Sequence, residues 1–199
     1  MILYFYRHAQ TEGNLEHRYI GRTDEPLCAA GIEAAVKAAR SAPERIRTVY
    51  VTPLRRTLET ARILFPSAGY ISCPDLREMD FGRFEGKNYL ELANDSAYSI
   101  WVEGGCEGKC PGGESKAAFS DRCCSEFERI AGQLCSRHQT EDVALVLHGG
   151  TIMALFERYA LPQKDYFDWQ LPNCGRLCLA FDPALWAAER KLPVSEDVL

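Results

Sequence analysis

The stretch that most constrains the fold is Val143–Leu147, five apolar residues in a row that end at His148-Gly149-Gly150. A strand with one face in water alternates apolar and polar residues, whereas a strand covered on both faces does not. The run therefore predicts a central strand of a parallel sheet with helices on both sides. The glycine pair that follows predicts the start of a helix.

Other short apolar runs alternate with helical patterns along the chain. Strands are predicted at Ile2–Tyr6, Arg47–Val51 and Arg176–Phe181, and helices at Gly31–Arg40, Pro53–Leu64 and Glu114–Arg137. Strands that alternate with helices predict an α/β fold, here a three-layer α/β/α arrangement with a mostly parallel sheet. We expect one domain over residues 1–199, and we expect the tail after Pro183 to be less regular, with a loosely held end.

The helix predicted at Glu114–Arg137 has a continuous apolar face. Its members recur at helical spacing, namely Phe119, Cys123, Phe127, Ile130 and Leu134. The helix at Pro53–Leu64 is predicted from Thr52-Pro53, a capping residue followed by a first-turn proline.

The formal net charge of −5 disfavours binding to nucleic acid or to an anionic membrane, because both need clustered Lys and Arg. The opening apolar run stops at Arg7, which is too short for a secretion signal, and no stretch has the length of a membrane span. These features indicate a cytoplasmic protein whose partner is a small molecule. We expect the protein to be a monomer or a homodimer.

The chain has nine cysteines, an odd number that argues against a complete disulfide framework. A zinc site would draw on Cys106, Cys110, Cys123 and Cys124, but these pairs lack the two-residue gap of zinc knuckles and no histidine lies between them. The pattern favours free thiols and no metal. A thiol-based or metal-binding module without catalytic activity remains an alternative.

Charged and imidazole side chains follow three predicted strands. Arg7-His8 comes after the first, Arg55-Arg56 lies in the first helical turn after the second, and His148 follows Val143–Leu147. The carboxyl ends of parallel strands meet at one edge of a sheet, so these residues should converge. Arginine forks match phosphate oxygens and a neutral imidazole is a nucleophile, so the pattern favours a phosphoryl group. By contrast, His17 and His138 lie in polar surroundings and are expected to be solvated.

Four segments in the same order resemble the histidine phosphatase superfamily, also called phosphoglycerate mutase-like. They are YRHAQTEGN at 6–14, TPLRRTLETA at 52–61, LREMDFGRFEG at 76–86 and VLHGG at 146–150. The resemblance implies that His8 is the nucleophile and that Glu78 gives a proton to the leaving oxygen. It also implies that phosphoryl oxygens are bound by Arg7, Asn14, Arg56 and a protonated His148, with no cofactor.

Four other carboxylates compete with Glu78 for the role of general acid: Glu12, Asp80, Glu85 and Glu114. Glu78 is favoured because it alone falls at the acid position of the resembled family. The chain departs from the family pattern at Ala9, where glycine is usual, and more mildly at Thr52, Thr57 and Phe84. A Cβ at position 9 would crowd the loop if that residue needed positive φ.

The branch of the family is predicted from the residues that follow the acid. Mutases of the family continue with Arg-His-Tyr-Gly, whereas this chain has Met79-Asp80-Phe81-Gly82, which favours a phosphatase. The segments 21–31 and 111–115 and the stretch around Trp101 are similar to alpha-ribazole phosphatases of cobalamin synthesis. Residues around 87–113 are expected to form a lid or insertion over the pocket. A cofactor-dependent phosphoglycerate mutase and a broad-specificity sugar-phosphate phosphatase remain alternatives.

Overall fold

Five strands form the central sheet of the computed structural model, which describes residues 1–194. The strands of the described chain are β1 (Ile2–Arg7), β2 (Thr48–Val51), β3 (Gly69–Ser72), β4 (Val143–Leu147), β5 (Ala160–Leu161), β6 (Arg176–Ala180) and β7 (Leu192–Pro193). The sheet has the order β3-β2-β4-β1-β6, in which the first four strands are parallel and β6 is antiparallel to β1. Strands β5 and β7 pair separately. The mostly parallel sheet with Val143–Leu147 at its centre is confirmed.

Helices cover both faces of this sheet. They are α1 (Glu12–Leu15), α2 (Ala29–Ala39), α3 (Arg55–Leu64), α4 (Ser96–Glu103), α5 (Lys116–Ser136), α6 (Gly149–Tyr159) and α7 (Pro183–Glu189). Successive side chains of a strand point to opposite faces. Accordingly, Tyr4 and Tyr6 of β1 pack with α2 and α3, whereas Leu3 and Phe5 pack with α5, α6 and α7. The three-layer α/β/α architecture predicted from the sequence is confirmed.

The predicted apolar face of α5 is buried throughout. Each of its five members is at most 4% exposed: Phe119, Cys123, Phe127, Ile130 and Leu134. The helix begins at Lys116 rather than at the predicted Glu114, because the Ser115 side chain accepts a hydrogen bond from the amide of Ala118 and so caps the first turn.

Helix α3 begins two residues later than predicted. The residue at its N-cap is Leu54, which makes no side-chain capping bond, and not Thr52. The hydroxyl of Thr52 is engaged elsewhere, at 2.9 Å from Oγ1 of Thr57 and at 2.9 Å from Nε2 of His148. The residue that the sequence pattern assigns to a cap therefore contacts the candidate site instead.

The part of the tail after Pro183 that the structure describes is more regular than predicted. Asp182 caps α7 by accepting hydrogen bonds from two backbone amides, and Pro183 occupies the first turn. Trp186 is only 2% exposed, and its ring lies 5.4 Å from that of Phe127. Burial of this indole holds the segment against α5. The end of the tail, 195–199, lies outside the described residues.

The segment 87–113 contains α4, which begins after a cap by Asp95. Trp101 of this helix is buried, with its ring 5.7 Å from that of Tyr19 and 5.6 Å from that of Phe84. On the outer side, Ile100 is exposed. The segment is thus attached to the rest of the chain through aromatic packing. Within residues 1–194, no helix is both long enough and apolar enough to cross a membrane.

Candidate active site

Three polar residues follow the ends of adjacent parallel strands: His8 after β1, Thr52 after β2 and His148 after β4. The strand register brings them together, since Arg7 lies beside Leu147 in the β1–β4 pair. The amide of His8 donates to the carbonyl of Leu147 at 2.9 Å. The ring centroids of His8 and His148 are 5.3 Å apart. The convergence expected at this sheet edge is present in the structure.

The ring of His8 is held by its own backbone neighbour. Nδ1 lies 2.7 Å from the carbonyl oxygen of Ala9, and because a carbonyl only accepts, Nδ1 carries the proton. Nε2 of the neutral ring is then unprotonated. Burial, together with the guanidinium of Arg56, holds the pKa of His8 well below its ordinary value of 6.5. His8 is therefore a neutral imidazole with a lone pair on Nε2.

Ala9 does not strain this loop. Ala9 is not one of the residues with positive φ between positions 1 and 194. Its Cβ is therefore accommodated in an ordinary backbone conformation. Its amide donates to Oγ1 of Thr60 at 2.9 Å, which ties the loop to α3. The departure from the usual glycine leaves the orientation of His8 intact.

Arg56 is fully buried and is bound mainly by carbonyl oxygens. Its Nη1 donates to Thr23 at 2.7 Å and its Nη2 to Gly21 at 2.8 Å, while Nε donates to Nδ1 of His148 at 3.3 Å. Burial lowers the pKa of Arg56 from its ordinary value, and Glu78 and other carboxylates counteract this shift. The guanidinium remains a fixed positive charge in contact with His148.

His148 is fully buried and neutral in this structure. Its Nδ1 accepts from Arg56, so the ring proton is on Nε2, which lies 2.9 Å from Oγ1 of Thr52. Burial and the neighbouring Arg56 lower the pKa of His148 well below 6.5. The mechanism expected from the sequence has a protonated ring at this position, and the difference arises because a buried cation already contacts Nδ1.

Glu78 lies at the N-terminus of α6. Its two carboxylate oxygens accept from backbone amides, Oε1 from Met79 at 3.0 Å and Oε2 from Gly150 at 2.9 Å. Burial raises the pKa of Glu78 above its ordinary value of 4.5, although these amides and the charges of Arg56 and Arg7 counteract the shift. A carboxyl group with a raised pKa is suited to give and take a proton.

Arg7 and Asn14 supply further donors. Nη1 of Arg7 donates to the carbonyl of Leu171 at 2.6 Å, whereas its buried Nε has no partner within the described residues. Asn14 is the third residue of α1 and completes a capping box with Thr11. An unpartnered buried N–H next to His8 is a donor available to an anion.

A cavity of about 290 Å³ opens at this edge of the sheet. Four of the six site residues predicted from the sequence line it: Arg7, His8, Asn14 and Glu78. The remaining two, Arg56 and His148, are not among its lining residues and are fully buried. The structure thus brings all six together, with four of them facing the cavity and two buried beneath the surface.

Aromatic side chains form the outer part of the cavity, and apart from Trp101 in the expected lid the sequence patterns did not assign them to the site. The aromatic residues of the lining are Tyr19, Phe81, Trp101, Tyr166 and Phe167. Two further lining residues are cationic, and both are already ion-paired. Lys116 contacts Glu107 at 2.7 Å and Glu157 at 3.0 Å, and Arg18 pairs with Glu16 and Glu91. The outer cavity therefore offers apolar contact and no unpaired cation among its described lining residues.

The competing carboxylates do not line the cavity. Asp80 accepts from the amide of Gly82 at 3.0 Å, and Glu114 pairs with Arg122 at 2.7 Å. Oε1 of Glu85 accepts from the amides of Gly21 and Thr23, and Glu12 is exposed. Hydrogen bonds or ion pairs occupy three of these groups, and Glu78 alone of the five candidate carboxylates lines the cavity. His17 and His138 are exposed, as predicted.

The cysteines are thiols in the described chain, and five of the nine are buried. Burial raises the pKa of Cys73 and Cys110 to about 12 and that of Cys124 and Cys174 to about 11. Cys106, which lines the cavity, also has a pKa raised by burial. Residues 1–194 contain no group of three or more metal-ligating side chains placed to hold a metal ion.

Comparison with known proteins gives consistent results. The model of the histidine phosphatase superfamily (branch 1) matches residues 3–191. Phosphoglycerate mutase-like protein 4 of Arabidopsis thaliana is 33% identical over 191 residues, covering 92% of this chain and 81% of that protein. The alpha-ribazole phosphatase of Shigella flexneri has a TM-score of 0.81 at 22% identity, covering 98% of this chain and 95% of that chain. A phosphoserine phosphatase variant of Entamoeba histolytica, in complex with phosphoserine, has a TM-score of 0.74 at 27% identity, covering 91% of each chain.

Proposed function

Because this chain belongs to the histidine phosphatase superfamily, we propose that it is a phosphatase that hydrolyses small-molecule phosphate monoesters through a phosphohistidine on His8. The observation that carries the proposal is the orientation of His8, whose Nδ1 is bound to the carbonyl of Ala9 at 2.7 Å and whose ring lines the cavity. This arrangement leaves the lone pair of Nε2 for attack on phosphorus.

The reaction then has two displacements. Nε2 of His8 attacks phosphorus, an N–P bond forms, the P–O bond to the leaving group breaks, and Glu78 gives its proton to the departing alkoxide. Water next attacks the phosphohistidine, Glu78 takes a proton from that water, the N–P bond breaks and inorganic phosphate leaves. Guanidinium and amide donors of Arg7 and Asn14 bind the phosphoryl oxygens, so the chemistry requires no metal.

The neutral state of His148 fits this scheme as a resting state. A phosphoryl dianion beside the ring adds negative charge, and nearby negative charge favours protonated imidazole. We therefore propose that substrate binding draws Nε of Arg56 away from Nδ1 of His148, so that Nδ1 takes up a proton and the N–H at Nε2 turns from Thr52 to a phosphoryl oxygen. Without substrate, the contact with Arg56 keeps the ring neutral.

The outer cavity indicates the class of leaving group. Aromatic side chains favour a planar or apolar group by stacking and burial. The cations Arg18 and Lys116 are paired with carboxylates, so a leaving group with its own carboxylate finds no free partner there. An uncharged leaving group that carries an aromatic ring fits best, and alpha-ribazole 5'-phosphate has this chemistry. The substrate we propose is therefore this ester.

A phosphoglycerate mutase is the second candidate, because the relative from Arabidopsis thaliana is named mutase-like. Its substrate carries a carboxylate in addition to the phosphate, and its mechanism needs a retained phospho-donor. The paired cations of the outer cavity disfavour that extra negative charge. A sugar-phosphate phosphatase of broad specificity is the remaining candidate, and hydroxyl-rich leaving groups gain less from aromatic walls.

The test is a turnover assay of the purified protein in the presence of EDTA. The esters are alpha-ribazole 5'-phosphate, p-nitrophenyl phosphate, glucose 6-phosphate and 3-phosphoglycerate, the last with and without 2,3-bisphosphoglycerate. We expect phosphate release without added metal, the highest kcat/KM for the ribazole ester, and an acid-labile phosphoprotein in rapid-quench samples. His8→Ala should abolish both turnover and labelling, whereas the exposed His138→Ala should leave them unchanged.

Three outcomes would contradict different parts of the proposal. Turnover that survives in His8→Ala would exclude the phosphohistidine. Interconversion of phosphoglycerates that depends on 2,3-bisphosphoglycerate, without net phosphate release, would show a mutase. Faster hydrolysis of the sugar phosphate than of the ribazole ester would remove the proposed substrate and leave the hydrolase reaction standing.

A further inference from the structure

Asn173 contacts two residues of the candidate site, although no sequence motif points to it. Its Nδ2 donates to the backbone carbonyl of His8 at 3.1 Å and to Oδ1 of Asn14 at 3.2 Å. The residue lies between the turn at Tyr166–Trp169 and strand β6. One carboxamide thus connects the nucleophile's own carbonyl to a predicted phosphate ligand.

The contact with Asn14 determines which end of that side chain faces the cavity. Oδ1 of Asn14 accepts from the amide of Thr11 at 3.2 Å as well as from Asn173. A carboxamide has one acceptor end and one donor end. With both donors on Oδ1, the Nδ2 of Asn14 is the end left for the cavity that this residue lines. An inverted amide would present an oxygen to an anion and repel it.

The backbone of the same segment supports His8 independently. The amide of Cys174 donates to the carbonyls of Arg7 and His8, at 3.2 and 3.3 Å, and the amide of Arg7 donates to Gly175 at 3.0 Å. Because these bonds do not involve the side chain of Asn173, replacing that side chain leaves the carbonyl of His8 with a donor. The substitution should then affect mainly Asn14, whose Oδ1 loses a hydrogen-bond donor.

We propose that Asn173 is a positioning residue that sets the direction of the Asn14 carboxamide, so that a nitrogen and not an oxygen meets the phosphoryl group. The inference rests on the proposed function for its ligand, a phosphate oxyanion. It assigns to Asn173 no contact with the substrate itself. The donor that Asn14 provides is the same before and during the reaction, so its loss weakens binding more than it slows chemistry.

The test measures binding of inorganic phosphate and of vanadate by calorimetry, together with kcat and KM. We expect Asn173→Ala to weaken binding of both anions about tenfold, which corresponds to one hydrogen bond to a charged group. Asn173→Asp, which keeps the size but places an acceptor against Oδ1, should weaken it further. KM should rise by a similar factor with kcat changed less than threefold, and the exposed Gln163→Ala serves as the control.

A double-mutant cycle separates positioning from a merely structural role. If Asn173 acts through Asn14, Asn173→Ala should have no further effect on anion binding in the Asn14→Ala background. Full additivity of the two losses would overturn the inference, and so would unchanged binding in Asn173→Asp with an unchanged melting temperature. Because the readout is anion binding, a wild-type protein that binds phosphate but turns over no ester would refute the proposed function alone. A wild-type protein that binds neither anion would refute both.

Discussion

Nε of Arg56 donates a hydrogen bond to Nδ1 of His148 over 3.3 Å, so a buried cation fixes the tautomer of a buried imidazole. The remaining donors of the guanidinium point to carbonyls of the loop at 20–23. This planar fork satisfies several acceptors at once, which an ammonium group on a flexible stem does not reproduce.

Arg56→Lys should therefore lower kcat/KM by on the order of 100-fold, because His148 loses the donor that fixes its tautomer and the preorganised site is disturbed. It should also lower the melting temperature, because the loop carbonyls lose their partner. The matched control is Arg55→Lys, whose arginine is exposed and paired with Glu59 at 3.1 Å. Steady-state kinetics and thermal unfolding of both variants check this. Equal activities of the two would contradict it.

The pH dependence follows from the two shifted groups. The nucleophile His8 must be neutral, and since its pKa lies well below 6.5, kcat/KM should rise with pH through a limb positioned below 6.5. The acid Glu78 must be protonated, and burial raises its pKa above 4.5. Activity should therefore fall as the pH rises through the raised pKa of Glu78. A profile measured from pH 4 to 9 with an alkyl phosphate ester, whose leaving oxygen needs the proton of Glu78, checks this. An acid limb above 6.5 would contradict the neutral resting state of His8.

The role of Glu78 predicts a dependence on the leaving group. Glu78→Gln keeps the acceptor atom near the amide of Gly150 but removes the transferable proton. We expect kcat to fall about 10²-fold or more for an alkyl ester, and much less for p-nitrophenyl phosphate, whose phenolate leaves without protonation. Glu12→Gln, at an exposed carboxylate outside the cavity, should leave both esters unaffected. Equal losses for the two esters in Glu78→Gln would argue against the general acid.

Gly150 allows the carboxyl group of Glu78 to approach α6. A Cβ at this position would lie 2.3 Å from Oε1 of Glu78, so Gly150→Ala should displace that carboxyl and lower kcat at least tenfold. The matched control is Gly132→Ala in α5, where a Cβ meets nothing within 4 Å. That variant should keep full activity and gain up to about 1 kcal/mol of unfolding free energy. Kinetics and denaturant unfolding compare the two, and full activity of Gly150→Ala would contradict the placement of Glu78.

The elements that the sequence predicts well are those with a single local cause. The unbroken apolar run Val143–Leu147 needs cover on both faces, and Phe119 to Leu134 recur at helical spacing, so strand and helix follow directly from the pattern. Helix α7 was missed because its seven residues are too few for a clear helical pattern, although Asp182 and Pro183 supply a local start signal. Its Trp186 is held by burial against Phe127, a residue far away in the sequence.

The site shows the same division. Motif positions predicted the cluster of His8, Glu78 and Arg56. They did not predict which members line the cavity, because that depends on contacts between side chains distant in the sequence. Thr52 has the pattern of a helix cap and contacts His148 instead, and Asn173 follows a turn without any periodic signal. Both contacts join segments that only the folded sheet brings together, so no local pattern could reveal them.

The burial of the thiols has a consequence for chemical resistance. A thiol with a pKa of about 11, such as Cys124 or Cys174, is present as thiolate at neutral pH in a fraction on the order of 10⁻⁴. Alkylating agents and peroxides react with the thiolate, so these side chains should resist both as long as the chain stays folded. Slow labelling of these two thiols by iodoacetamide would then report local opening of the fold, which makes them intrinsic probes of its unfolding.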